Sequence, residues 1–386
     1  MPPSDHHPFD WDPTDPEIQA DQRAAYDRMR DRCPVARGAD GGWTAFRHDD
    51  VRRIITHHGT FSNVVSAHPA VPNGMDPPEH TIWRRFIEPC FSAERVAAFE
   101  PACRRIAARL ARSAREQGDV ELMSLVGLPF AAEVQCAYLG WPETLAATLV
   151  DWTERNHEAT RKGDRADVSH IAAEFGRIVD GLLETRRAAP AGTFTDLTQA
   201  LLGEVVDGRP AGPEALTSIL RNWTMGEVGT IAASVGIIAH FLAHSPGIQH
   251  EVRLDRRLVP EAIDEILRMH GPLVSNRRTV TRAVEVGERQ LERGDRVTVN
   301  WIAANRDPEV FPEPDEFRLD RHTPDSLLYG DGIHVCPGAG LARLELRVMV
   351  EALLDETHSI ASHTARPAVL ARPPAGGFSA VPLRLS

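Results

Sequence analysis

The stretch YGDGIHVCPG, Tyr329 to Gly338, leads across Ala339 and Gly340 into LARLELRVMVEALL, Leu341 to Leu354. A single cysteine, Cys336, thus stands just before the N-terminus of a helical run. The helix dipole and the free N–H groups at such an end lower a thiol's pKa and stabilise the thiolate, the form that ligates metals. Gly330, Gly332 and Gly338 remove side chains where a backbone has to approach a flat cofactor closely. The bland alternative is a buried structural cysteine in a glycine-rich turn, which is what an arbitrary cysteine usually is. The rest of the chain decides between the two.

The bulk composition narrows the field. The chain has 386 residues, 42% of them hydrophobic, and a formal charge of −12. That length carries a sizeable core, and the acidic balance argues against a nucleic-acid protein, which needs a basic patch to meet phosphates. No stretch reads as the roughly 20 apolar residues of a membrane span, and MPPSDHHPFDWDP at the start lacks the apolar core of a signal peptide. A cytoplasmic protein without membrane or nucleic-acid partners is the expectation. The five cysteines, Cys33, Cys90, Cys103, Cys136 and Cys336, are too scattered for a disulfide framework, and none forms the C-x-x-C pair of a structural zinc site.

No repeat, low-complexity tract or flexible linker divides the chain, so residues 1–386 read as one domain. A strand-like segment near Gly42 to Phe46 precedes a helix starting near Asp49. From Glu94 to Gln117, Val96, Phe99, Cys103, Ile106 and Leu110 recur at helical spacing, which places Cys103 in a core. Further helices are expected near Ala131 to Leu139, Val168 to Arg187 and Pro213 to Ala243, the last long and apolar in its second half. A short helix around Asp196 to Leu202 lies between the loops Ala188 to Phe194 and Asp207 to Pro213. Strand signals gather late, at Arg278 to Val286, Arg296 to Asn300 and Gly376 to Leu385. The fold class is mainly α with minor β.

The Cys336 segment resembles the haem-binding loop of the cytochromes P450, F-G-x-G-x-H-x-C-x-G, with Tyr329 in place of the first Phe. EAIDEILRMHGP carries the E-x-x-R of the same family in Glu265 and Arg268, PDEFRLDR supplies Arg321, and NRDPEVFPEP, Asn305 to Pro314, is typical of the approach to the loop. The resemblance runs from the segment around Cys33, Pro34 and Val35 to the C-terminal strands, and is to the soluble bacterial type. It implies the cytochrome P450 fold, haem b (iron protoporphyrin IX) with Cys336 as metal ligand, and a structural triad of Glu265, Arg268 and Arg321. Haem propionates need cationic or hydrogen-bonding partners. His80 and Arg84 in DPPEHTIWRR, Arg278 and His334 are the ones implied.

MGEVGTIAASVG in the long helix corresponds to the family's oxygen-activating stretch, A/G-G-x-D/E-T. Aligned on Thr230, it puts Gly226 at the small residue over the iron, Glu227 where Gly is usual and Gly229 where an acid is usual. Glu227, three residues before Thr230, can share a helix face with it and so substitute, with ordered water, for the missing acid; the alternative is that it points away and pairs with a cation such as an arginine of a neighbouring helix. The family's chemistry implies a monooxygenase that oxidises a small organic substrate with dioxygen. No nicotinamide or flavin fingerprint is visible, so electrons come from separate proteins, a ferredoxin and its reductase. Oxidative coupling, desaturation or peroxide-driven oxidation on the same haem, or a non-catalytic haem sensor or carrier, are the alternatives. Asn222, Met225, Gly226, Val274, Asn276 and Phe378 are expected to line the substrate pocket, and the two amides suit a substrate with polar groups.

Overall fold

A computed structural model describes residues 10–66, 70–206, 208–321 and 324–386. The chain is mostly α-helical with a minor β component, and it divides into two compact units. Each is assembled from three separated segments.

The first unit takes residues 1–67, 264–336 and 371–377. Its centre is a five-stranded sheet built from β1 (Val35–Arg37), β2 (Trp43–Ala45), β3 (Phe61–Ser62), β4 (Ser275–Val280) and β5 (Arg296–Asn300), in the order β1-β2-β5-β4-β3. All neighbours are antiparallel except β5 and β2, which run parallel with Val297 opposite Trp43. Alternation along the strands puts Val297 and Val299 into a core with Val35, Ile54, Phe61 and Leu327. The strand expected over Arg278 to Val286 is two strands, because pairing of β4 ends at Val280 and a separate hairpin begins at Val284.

The second unit takes residues 68–263, 337–370 and 378–386. Six of its helices concern the site: α1 (Glu79–Ile87), α2 (Ala93–Gln117), α3 (Leu128–Leu139), α4 (Ala146–Lys162), α5 (Pro213–His244) and α6 (Ala339–Glu356). Ser92 caps α2 by accepting from Arg95 N at 3.3 Å, and Val96, Phe99, Cys103, Ala107 and Leu110 form its buried stripe. Proline at the first position and a Gly212 cap start α5. Its second half buries Ile231, Val235, Ile238 and Leu242, each stabilising the core by about 1.5–3 kcal/mol. By length and composition α5 is apolar enough to cross a membrane, which differs from the expectation of no such stretch, but 61% of its most apolar stretch is buried inside the protein. It packs against α3, α4 and α6.

Helix α4 escapes the periodicity reading altogether. Its buried residues are Ala146, Leu149, Trp152, Thr153 and Ala159, and the charged and polar side chains between them blur the apolar stripe. The loop expected over Asp207 to Pro213 begins at Asp207, which lies outside the described residues. The tail from Gly376 forms Phe378–Ala380 and then Pro382–Leu385, the latter paired with Ile360–Ser362 and Asp119–Glu121.

Candidate active site

Within the first unit, the loop bearing Cys336 is a short tightly turned run. Cys336 N donates to Tyr329 O at 2.8 Å, and Asp331 Oδ1 accepts from Gly332 N at 2.6 Å. Arg52 Nε donates to Asp331 Oδ2 at 2.9 Å, fixing the loop to the helix His48–Thr56. Gly330 and Gly332 have φ of 74° and 68°, conformations that residues with a Cβ rarely adopt. A Cβ on Gly332 would stand 3.3 Å from the α-carbon of Thr56. The left-handed backbone at both positions, and at Gly332 also the closeness of that helix, favour glycine here. Gly338 caps α6, its carbonyl accepting from Ala342 N at 2.8 Å.

Cys336 is exposed, whereas Cys90, Cys103 and Cys136 are buried and Cys33 half-buried. Burial pushes the thiols of Cys90 and Cys136 up to about 12 and that of Cys103 further still. A metal needs an accessible sulfur that can ionise, and these three do not supply one. Among the described residues no cluster of three or more His, Cys, Asp or Glu could hold a metal ion by side chains alone. A lone accessible cysteine on a fixed turn fits a cofactor that carries its own metal.

Beneath the loop in the same unit, Glu265 Oε2 accepts from Arg268 Nε at 2.7 Å, and Glu265 Oε1 accepts from Arg268 Nη2 at 3.0 Å and Arg321 Nε at 2.9 Å. Arg268 also donates to Asn305 O and Pro314 O, and Arg321 to Pro312 O, Glu313 O and Glu316 O. The three charges so brought together pin residues 305–316, the segment that approaches the loop. Arg278 is 7% exposed on β4, with Nη1 donating to Arg277 O at 2.8 Å. His334 sits in the one-turn helix Gly332–His334. Asn276, two residues before Arg278 and so on the same strand face, accepts from the Trp301 indole at 2.8 Å. Val274 is a correction. Rather than lining a pocket, it is 3% exposed in the core with Trp11, Phe46 and Ile302, because it precedes β4 and its N–H donates to Pro374 O.

Within the second unit, α1 carries both His80, 2% exposed, and Arg84, which lies 3.6 Å from Glu88. On α5 the Thr230 hydroxyl donates to Gly226 O at 2.6 Å, and Gly226 itself is exposed with open space at its Cβ position. Asn222 Nδ2 donates to Val71 O at 3.2 Å, and Met225 Sδ accepts from Asn156 Nδ2 at 3.4 Å. Phe378 stacks on His240 with ring centroids 4.2 Å apart, and burial pushes that imidazole down to about 4.

Among the described residues Glu227 pairs with no arginine. Its partner is the carboxyl of Glu345 on α6, a residue 0% exposed, and the oxygens Glu227 Oε1 and Glu345 Oε1 and Oε2 have no other partner. Carboxylates only accept, so the contact is a hydrogen bond only when one of the two carries a proton. Desolvation raises both pKa values, and the charge of Glu227 drives that of Glu345 further up. Glu345 holds the proton and Glu227 accepts it. Sequence reasoning misses Glu345, which lies 118 positions from Glu227 and looks like one more charge on an amphipathic helix.

An exposed sulfur, borne on a turn fixed by its own hydrogen bonds, suits a thiolate-ligated cofactor. Comparison with known proteins agrees. Residues 162–368 match the cytochrome P450 family model. Cyclomarin C epoxidase CymV of Salinispora arenicola is 31% identical over 343 residues, 85% of this chain and 86% of that one. Erythromycin C-12 hydroxylase of Saccharopolyspora erythraea is 27% identical, with 87% of each chain covered. The structure of cytochrome P450 CYP109Q5 from Chondromyces apiculatus superposes with a TM-score of 0.88 at 27% identity, covering 97% of this chain and 98% of that one. The chain belongs to the cytochrome P450 family. Its cofactor is haem b, and its activity class is the monooxygenase, which oxidises a small molecule with dioxygen and electrons from an external redox partner.

Proposed function

We propose that residues 1–386 act as one domain, a cytoplasmic monooxygenase supplied with electrons by a ferredoxin and its reductase, in which Cys336 would supply the thiolate that ligates the haem iron. The observation that carries this reading is the accessibility of Cys336 on its clamped turn. The interleaved segments of the two units support a single working domain, since neither is a continuous piece of chain. Haem b held at Cys336 supplies the redox chemistry with dioxygen. His80, Arg84, Arg278 and His334 would hold its propionates, Gly338 starts the helix that follows the sulfur, and Glu265, Arg268 and Arg321 would keep the loop in place. Turnover with ferredoxin, reductase and NADPH, and none with peroxide alone, is the expected result. Product from peroxide alone would favour the peroxide-driven alternative, and no product from either would favour a sensor or carrier.

Asn222, Met225, Gly226, Asn276 and Phe378 take up the substrate. Both amides already make one protein hydrogen bond each, which fixes their orientation and leaves Asn222 Oδ1 and Asn276 Nδ2 for a polar substrate group. Replacing either with leucine is expected to weaken the substrate-induced spectral shift about three- to tenfold while the purified protein keeps full haem. Loss of haem with unaltered affinity in the remaining holoprotein would assign them to cofactor binding instead.

Thr230 and Glu227 serve proton delivery. Glu227 shares the proton of Glu345 and lies one turn before Thr230, so the pair is a store from which the Thr230 side draws. Glu227→Gln keeps the size and hydrogen bonding but carries no transferable acid proton. Product formed per NADPH is expected to fall about tenfold, peroxide to rise and substrate affinity to stay constant, within the range general acid–base groups contribute. Unchanged coupling would remove Glu227 from the path.

A further inference from the structure

The face of α5 that carries Gly226 and Thr230 is flanked by two positions. At about 100° per residue, Glu227 and Gly229 fall about 80° to either side of the line midway between Gly226 and Thr230. The Glu227 flank holds the carboxyl pair. The Gly229 flank has no side chain of its own, and yet it is occupied. A Cβ built on Gly229 would lie 3.2 Å from His157 Cε1 and 3.6 Å from His157 Nε2. The imidazole, delivered by α4, stands where a side chain at 229 would begin. A neighbouring contact fixes α4 in this register, with Asn156 Nδ2 donating to Met225 Sδ.

We propose that His157 is a second proton-positioning residue of this oxidation, serving the Gly229 flank as the Glu227–Glu345 carboxyls serve the other, its imidazole standing beside a position that has no side chain to carry a proton. This deepens the oxygen-dependent reading and rests on it. The ring nitrogen that faces water takes up a proton, the imidazolium so formed releases the proton on its other nitrogen toward the Gly226–Thr230 face, and the ring, left as the opposite tautomer, returns to its starting form by proton exchange with solvent before the next transfer. The ring is partly buried and has an exit to water. Burial, and then Arg161 one turn further along α4, lower its pKa below the ordinary 6.5. Arg161 is the charged group whose field reaches the ring, while Glu174 of the helix Arg165–Ala188 pairs with Arg155 and Glu227 of α5 with Glu345. His157 is therefore mainly neutral at pH 7 and able both to accept and to return a proton. The packing also favours glycine at 229, since a Cβ there would press on the ring at 3.2 Å and the ring would have to give by a few tenths of an ångström.

The test uses the holoenzyme with ferredoxin, reductase and NADPH, and three variants. His157→Asn is expected to lower product per NADPH about tenfold, with peroxide in its place, and to erase an inflection below pH 6.5 in the parent's coupling profile. The carbon-monoxide band, which reports the thiolate reading separately, stays normal. Gly229→Asp is expected to melt at a lower temperature than the parent, although aspartate is the better helix former, and combining it with His157→Ala should restore both melting temperature and coupling. In nuclear magnetic resonance the His157 ring should titrate below pH 6.5. Parent-like coupling and pH profile in His157→Asn would overturn the proposal. So would a double variant that folds with full haem and regains its melting temperature but not its coupling, because the ring would then be only a spacer.

Discussion

Replacing Cys336 with alanine is expected to abolish the red-shifted carbon-monoxide band of the reduced protein and with it all oxidation, whereas replacing Cys33, Cys90, Cys103 or Cys136 leaves the band in place. Access and ionisation set Cys336 apart. Cys90, Cys103 and Cys136 are sealed in the core with thiols pushed far above neutrality, and Cys33 is half-buried with its sulfur near Val35 O and Arg289. Only Cys336 is exposed and borne on a turn whose backbone is fixed by its own hydrogen bonds. Thiolate ligation gives the band its position, so the loss should be complete rather than partial. A normal band in Cys336→Ala would remove the basis of the functional reading.

The second large effect is expected at Glu265. Glu265 is 2% and Arg268 0% exposed, and Glu265→Ala would strand the Arg268 guanidinium without a counter-charge in the core. Breaking a buried pair in this way costs about 3–5 kcal/mol. The damage reaches further than the pair, because Arg268 and Arg321 also hold the carbonyls of residues 305, 312, 313, 314 and 316. The urea-denaturation midpoint should fall accordingly, and purified Glu265→Ala should carry less haem than the parent. A loss under about 1 kcal/mol would be the value of a surface pair and would deny the cluster its structural role.

These two sites are legible in the sequence because their signals are local. The Cys336 loop is ten contiguous residues, and Glu265 and Arg268 are one helical turn apart. The long helix through Thr230 is equally plain, since its apolar second half leaves no other reading. What is not legible depends on partners far apart in the chain. Glu345 gains its meaning only from Glu227, and His157 only from Gly229, which lies 72 positions away on another helix. His157 is doubly hidden, because the helix that carries it mixes its buried residues with charges and lacks a clean stripe. Val274 misleads for a related reason: a position next to β4 suggests exposure to a pocket, and the packing of Trp11 and Ile302 over it decides otherwise.

The parallel pairing of β2 with β5 also carries a consequence for how this protein is born. Trp43 meets Val297, so a ribosome adding 5–20 residues per second leaves β2 waiting roughly 10–50 s for its neighbour. The first unit is complete only with residues 371–377 and the second only with residues 378–386. No nascent chain ending before those segments contains either unit whole. For most of its synthesis the N-terminal hairpin is an open edge, with apolar side chains such as Val35 and Phe46 still lacking their final cover. Slow elongation would prolong that exposure, and a chaperone able to shield a short two-stranded edge would have its work in this interval rather than after release.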